Sequence, residues 1–168
     1  MAALDSHDTP MVVITGGEPL LHQSQPGWTT LLDALAARGR RIEVETNGTV
    51  LPDTHTLDVV TRFNVSPKLA HSEVPAERRI VPAALSLLAL SGKADFKFVC
   101  RGPDDVEAAA RIAVVHGIPQ QSVWIMPEGR TREALSKVSA RVAPRALELR
   151  LNFTPRLHID LWGNERGR

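Results

Sequence analysis

Apolar positions along this chain fall into short runs that alternate with helical stripes. Met11-Val-Val-Ile-Thr15 is β-branched and ends at Gly16-Gly17, as a buried strand does. Trp28, Leu31, Leu32, Leu35 and Ala36 then recur at i, i+3, i+4, i+7 and i+8, one face of a helix, and Gly39 stands where such a helix stops. Arg41 to Glu45 reads as a second strand, closed by the turn signal Asn47-Gly48. Phe63 to Val65 is a short third strand before Ser66-Pro67, and the spacing predicts a helix over Ile80 to Leu90 with Pro82 in its first turn. A fourth strand from Asp95 to Cys100 leads into a helix over Pro103 to His116, closed by Gly117. Asp104 and Asp105 suit the positive end of its dipole. A fifth strand over Ser122 to Met126, a helix over Thr131 to Val142 and a sixth strand over Leu147 to Leu151 complete the pattern.

Strand–helix alternation with short loops implies an α/β fold with parallel pairing and right-handed crossovers. An open doubly wound sheet and a closed or partial (β/α) barrel both satisfy it. No repeat or linker divides the chain, so residues 1–168 read as a single domain. The composition, 43% apolar and 23% charged, is that of a globular protein. Twenty Lys and Arg against nineteen Asp and Glu give a formal +1, which leaves no polybasic footprint for a nucleic acid. The longest apolar stretch, Ile80 to Leu90, is broken by Pro82 and Ser86 and falls short of the ~20 residues that span a bilayer. Met1 to Pro10 hold neither Lys nor Arg and no apolar block, so no signal peptide is expected. A soluble cytoplasmic domain, with no membrane and no nucleic-acid partner, is the expectation. The single cysteine, Cys100, excludes an internal disulfide framework.

Both architectures carry their sites at the carboxyl ends of the strands. Those positions hold Gly16-Gly-Glu-Pro19, Glu45-Thr-Asn-Gly-Thr49, Ser66-Pro-Lys68, Met126-Pro-Glu-Gly129 and Asn152-Phe-Thr-Pro-Arg156. Gly16 and Gly17 let a ligand approach the backbone closely. Glu18 offers a carboxylate for an ammonium group, or is an exposed turn residue. Lys68 suits a carboxylate, or is a solvated surface lysine. Lys97, inside an apolar strand, either points outward by alternation or enters a barrel interior. The histidines show no metal-binding spacing, and neither a phosphate loop nor a nucleophile elbow is present.

Together and in order, these segments carry a resemblance. Ile14-Thr-Gly-Gly-Glu-Pro-Leu-Leu-His22 resembles the S-adenosylmethionine-binding GGEP motif of radical SAM enzymes. The Glu45–Thr49 and Ser66–Lys68 segments, with the ending from Asn152 to Gly167, are similar to one branch, the 7-carboxy-7-deazaguanine synthases. The resemblance implies a partial (β/α) barrel, commonly a homodimer. It implies a radical ring contraction of 6-carboxy-5,6,7,8-tetrahydropterin to 7-carboxy-7-deazaguanine with loss of ammonia, on the route to queuosine and related 7-deazapurines. The implied cofactors are S-adenosyl-L-methionine, a [4Fe–4S] cluster and Mg2+, and the implied partner is an electron donor such as flavodoxin. Carried over by motif, Gly16, Gly17 and Glu18 would receive the methionine amino group. Ser66 and Lys68 would contact the ribose or carboxylate region, and Met126 and Pro127 would line the adenine. Thr46 and Gly48 would lie against the pterin, with His158 reaching it from the C-terminal segment.

One part of the family pattern is missing. The cluster is held there by an N-terminal C-x3-C-x2-C loop after the first strand, and no cysteine precedes Gly16. The magnesium-binding threonine beside that loop is absent with it, and Cys100 is expected to be a buried apolar residue. The chain therefore reads as the last two-thirds or so of the family's length, lacking the first strand and the cluster loop. Three expectations follow from that shortness. The working enzyme has an upstream segment, or the chain is a cluster-free, inactive remnant that binds S-adenosylmethionine or pterin, or the GGEP match is a coincidence on an unrelated (β/α) enzyme.

Overall fold

Six parallel strands, β1 (Met11–Ile14), β2 (Arg41–Thr46), β3 (Arg62–Val65), β4 (Ala94–Cys100), β5 (Val123–Pro127) and β6 (Asn152–Phe153), form one sheet in the order β1-β2-β3-β4-β5-β6. The structure is a computed structural model that describes residues 9–163 and residue 165. Seven helices intervene among the described residues: α1 (Pro26–Ala36), α2 (Thr54–Val59), α3 (Ala76–Arg79), α4 (Pro82–Leu90), α5 (Pro103–Val115), α6 (Arg132–Glu148) and α7 (Leu157–Trp162). A doubly wound sheet reverses its direction of growth at a central strand. This one grows in a single direction, and crossovers of one hand then lay their helices on one face.

Alternation along the strands gives the two faces different chemistry. Ile42, Val44, Phe63, Val65, Phe96, Phe98, Val123 and Ile125 are buried on the helix side against Leu32, Leu35, Leu85, Leu88, Val106 and Val142. The residues between them in sequence, Glu43, Glu45, Asn64, Asp95, Lys97 and Trp124, share the other face, where they are half-buried or exposed. A parallel sheet ordinarily hides both faces.

The anticipated elements are present to within a few residues, with one correction at the end of the chain. Leu147 to Leu151 is not a strand. Helix α6 continues through Pro144 because Ala146 prolongs the buried stripe of Leu135 and Val142, whereas Leu147 is 70% exposed. Its end is a Schellman turn: the Leu151 N–H bonds the Ala146 carbonyl at 2.8 Å and the Arg150 N–H bonds the Leu147 carbonyl at 2.9 Å, with Arg150 at φ 54°. Helices α1 and α5 close in the same way at Gly39 and Gly117. At α6 an arginine occupies the left-handed position, so no glycine marks the stop. The strand is displaced to Asn152–Phe153, in register with Trp124 and Ile125.

Candidate functional site

The strand ends assemble a cavity of about 360 Å³ at the carboxyl edge of β1 to β4. Thr15, Gly16 and Gly17 line it from the loop after β1, Glu45, Thr46 and Asn47 from the end of β2, Asn64, Ser66 and Lys68 from β3 and its loop, and Lys97 from β4. This volume is at the small end of the range for ligand pockets. Its walls are mostly polar and hold one carboxylate and two ammonium groups. The Thr15 hydroxyl donates to the Glu45 carboxylate at 2.8 Å, which ties the rims of β1 and β2 together.

Gly16 and Gly17 stand at φ 109° and 61°, where side chains are strained, and nothing lies within 4 Å of where a Cβ would be. The turn needs glycine for its backbone, and the space above stays open to a ligand. Glu18, next in sequence, does not line the cavity. It is 8% exposed and lies beneath the turn. One carboxylate oxygen accepts the Thr46 hydroxyl at 2.8 Å and the Leu20 N–H at 3.2 Å, and the other accepts the Asn47 N–H at 2.7 Å. The first of those oxygens also caps the 3₁₀ turn Pro19–His22. Glu18 is therefore no exposed turn residue: it joins the β1 loop to the β2 loop.

The β2 loop is built around Thr46 and Gly48. Thr46 is 3% exposed, donates to Glu18 and accepts the Gly48 N–H at 3.1 Å. Gly48 has φ 76° and faces the apolar core rather than the cavity. A Cβ there would stand 2.8 Å from Val65 Cγ1 and 2.9 Å from Leu85 Cδ2. Thr46 is thus on the cavity wall and Gly48 behind it. Ser66 and Lys68 both reach the cavity, Lys68 from the exposed rim.

A second cavity, about 590 Å³, opens further along the same edge between Val99, Glu128, Gly129, Arg130 and Arg156. Arg156 closes it by donating to the Gly129 carbonyl at 2.9 Å. Met126 and Pro127 line neither cavity, but Met126 is in register with Val99 on the second cavity's wall. His158 is exposed on the six-residue helix α7 and lines none of these cavities. Of the sequence ending that carries the resemblance, Asn164, Arg166 and Gly167 lie outside the described residues.

Period-2 alternation would have found what motif reading passed over. Glu45 and Asn64 are paired across β2 and β3, and Lys97 lies one step along the same face of β4. Lys97 thus lies on the face opposite the helices, where it lines the first cavity. Cys100 is fully buried at the end of β4, on the helix side. Burial first, then the charge of Asp105, push its thiol up to about 12. Such a thiol stays protonated and is a poor metal ligand. Among the described residues no three His, Cys, Asp or Glu side chains gather where they could hold a metal ion.

No family model matches the chain. Curated relatives do. The chain is 42% identical over 158 residues to the 7-carboxy-7-deazaguanine synthase of Pyrobaculum aerophilum, covering 94% of this chain and 67% of that protein. It is 39% identical over 174 residues to the protein of the same name from Halobacterium salinarum, covering 91% and 65%. The corresponding protein of Hyperthermus butylicus is 36% identical over 158 residues, covering 91% and 66%. The chain spans about two thirds of the length of these relatives.

Proposed function

The chain belongs to the 7-carboxy-7-deazaguanine synthase family, and on that premise we propose that its first cavity binds S-adenosylmethionine together with a carboxylated pterin, for ring contraction to 7-carboxy-7-deazaguanine. The reading includes a radical SAM partial barrel, a lyase-type loss of ammonia, a homodimer and a flavodoxin-type electron donor. One observation carries it. Segments about thirty and twenty residues apart, Gly16–Gly17, Thr46 and Ser66–Lys68, converge on one polar cavity of about 360 Å³.

In this reading the Gly16–Gly17 backbone meets the methionine amino group. Glu18 lies behind it, with four lone-pair sites against three donors, so its carboxylate adds a fixed negative charge under the ammonium. Lys68 on the rim faces the methionine carboxylate and Ser66 the ribose. The adenine extends past Met126 and Pro127 towards the second cavity. Thr46 presents its side chain to the pterin, Gly48 lets the loop sit close enough for that contact, and His158 approaches from the C-terminal segment.

A [4Fe–4S] cluster supplies, in the family, the electron that cleaves S-adenosylmethionine. The residues of this sequence do not fit it: there is one cysteine, and its thiol is buried and held protonated. The threonine that the family pattern pairs with magnesium stands beside the cluster loop, which has no counterpart before Gly16 in this sequence. What these side chains do is bind and orient.

Calorimetric titration of the chain with S-adenosylmethionine tests the reading. One site is expected. Lys68→Gln should weaken it only a few-fold, since an exposed ion pair is worth about 0.2–1 kcal/mol. No detectable binding by the unsubstituted chain would sink the assignment of this cavity.

A further inference from the structure

The charged side chains on the open face of the sheet are paired, with one exception. Arg41 bonds Glu43 at 3.1 Å, and Glu43 also accepts from Asn64 at 2.9 Å. Arg62 bonds Asp95 at 3.2 Å, and Glu45 is held by Thr15 at 2.8 Å. Lys97, in the middle of that face, has no hydrogen bond or ion pair among the described residues. It is half-buried, on a strand rather than a loop. It lines the first cavity and also a smaller neighbour of about 160 Å³, shared with Asn64, Asp95, Trp124 and Thr154. An ammonium group taken partly out of water has a cost that an anion in the cavity would offset.

We infer that Lys97 is the anchor for the carboxylate of the heterocyclic ligand. The inference rests on the reading above, in which that ligand is 7-carboxy-7-deazaguanine or its pterin precursor. Two carboxylates enter this cavity in that reading, and position separates them. Lys68 stands on the exposed loop, where the amino-acid end of S-adenosylmethionine lies. Lys97 stands on β4, in register with Trp124, whose indole lines the smaller neighbouring cavity on the side away from Glu45. Across the cavity, two strands away, Glu45 presents a negative charge. Neighbouring strands are about 4.8 Å apart, so the two charges sit on backbones roughly 10 Å apart. A flat ligand with N–H donors at one edge and a carboxylate at the other matches that polarity. Reversing it would set the carboxylate against Glu45.

The test is calorimetry of the 168-residue chain and its Lys97→Gln variant with three probes: 7-carboxy-7-deazaguanine, 7-deazaguanine without the carboxylate, and S-adenosylmethionine. Loss of a charge-assisted contact should weaken 7-carboxy-7-deazaguanine roughly tenfold to a hundredfold and leave the other two within twofold. Lys97→Arg should restore most of the loss. Circular dichroism checks that the variants fold. Equal weakening of both heterocycles makes Lys97 a wall of the pocket and overturns the inference, as does unchanged affinity for all three. Selective weakening of S-adenosylmethionine overturns it in favour of the methionine carboxylate. If the unsubstituted chain binds S-adenosylmethionine but neither heterocycle, the inference and the pterin part of the reading both fall.

Discussion

Replacing Glu18 by glutamine takes one acceptor from a buried site that three donors share. The amide keeps a single carbonyl oxygen. Placed where it accepts from Thr46 and Leu20, it turns its NH2 towards the Asn47 N–H, now 2.7 Å from an acceptor. Flipped, it satisfies Asn47 and turns the NH2 towards the Leu20 N–H. Either way one backbone donor loses a charge-assisted bond of about 1.5–3 kcal/mol and is left facing another donor, at about 1–3 kcal/mol more if it finds no water. With partial relaxation, a loss of about 2–4 kcal/mol is expected. For a chain of this length that is a fall in Tm of roughly 4–16 °C. Urea unfolding followed by circular dichroism gives the value, and Thr46→Val with the double variant completes a cycle. Because Thr46 and Glu18 share a bond, the two effects should fall short of additivity by about 0.5–3 kcal/mol. A Glu18→Gln protein within about 0.5 kcal/mol of the parent would refute the buried-hub account and return the carboxylate to the cavity.

Two further expectations concern single positions. Gly48→Ala combines a left-handed φ of 76° with a Cβ 2.8 Å from Val65 and 2.9 Å from Leu85, so it should cost about 2–4 kcal/mol in the same urea assay; a neutral result would contradict the close packing of Gly48 against the core. Cys100 has a folded-state pKa near 12 against 9.0 unfolded, so the stability it contributes is intact below pH 9 and declines as pH rises from 9 towards 12. At pH 8 iodoacetamide should label it only after unfolding in urea, and rapid labelling of the folded chain would contradict its burial.

Sequence alone determined the alternation, because hydrophobic period is a local property that tertiary context here left undisturbed. Strands of period two and helices of period 3.6 were legible to within a few residues wherever a glycine or proline punctuated them. The end of α6 escaped because its left-handed residue is Arg150, and the exposure of Leu147, which separates helix from strand there, is a fact of packing. Helix α2 escaped too: six residues are too few to show a period, although Asp53 caps it by accepting the Thr56 N–H. The order of the strands was beyond the sequence, since doubly wound and single-direction sheets share one alternation and differ only in which strand each crossover joins. The motifs named Gly16, Gly17, Thr46, Ser66 and Lys68, and the fold brought them to one cavity. It moved Glu18 and Gly48 behind the wall, where neighbouring loops and core side chains claim them. It also put Lys97 on the wall of that cavity with no hydrogen-bond or ion-pair partner among the described residues. Residue type and spacing mark a chemistry; which groups are left unpaired and facing open space depends on contacts between segments distant in the chain, and only the tertiary structure supplies those.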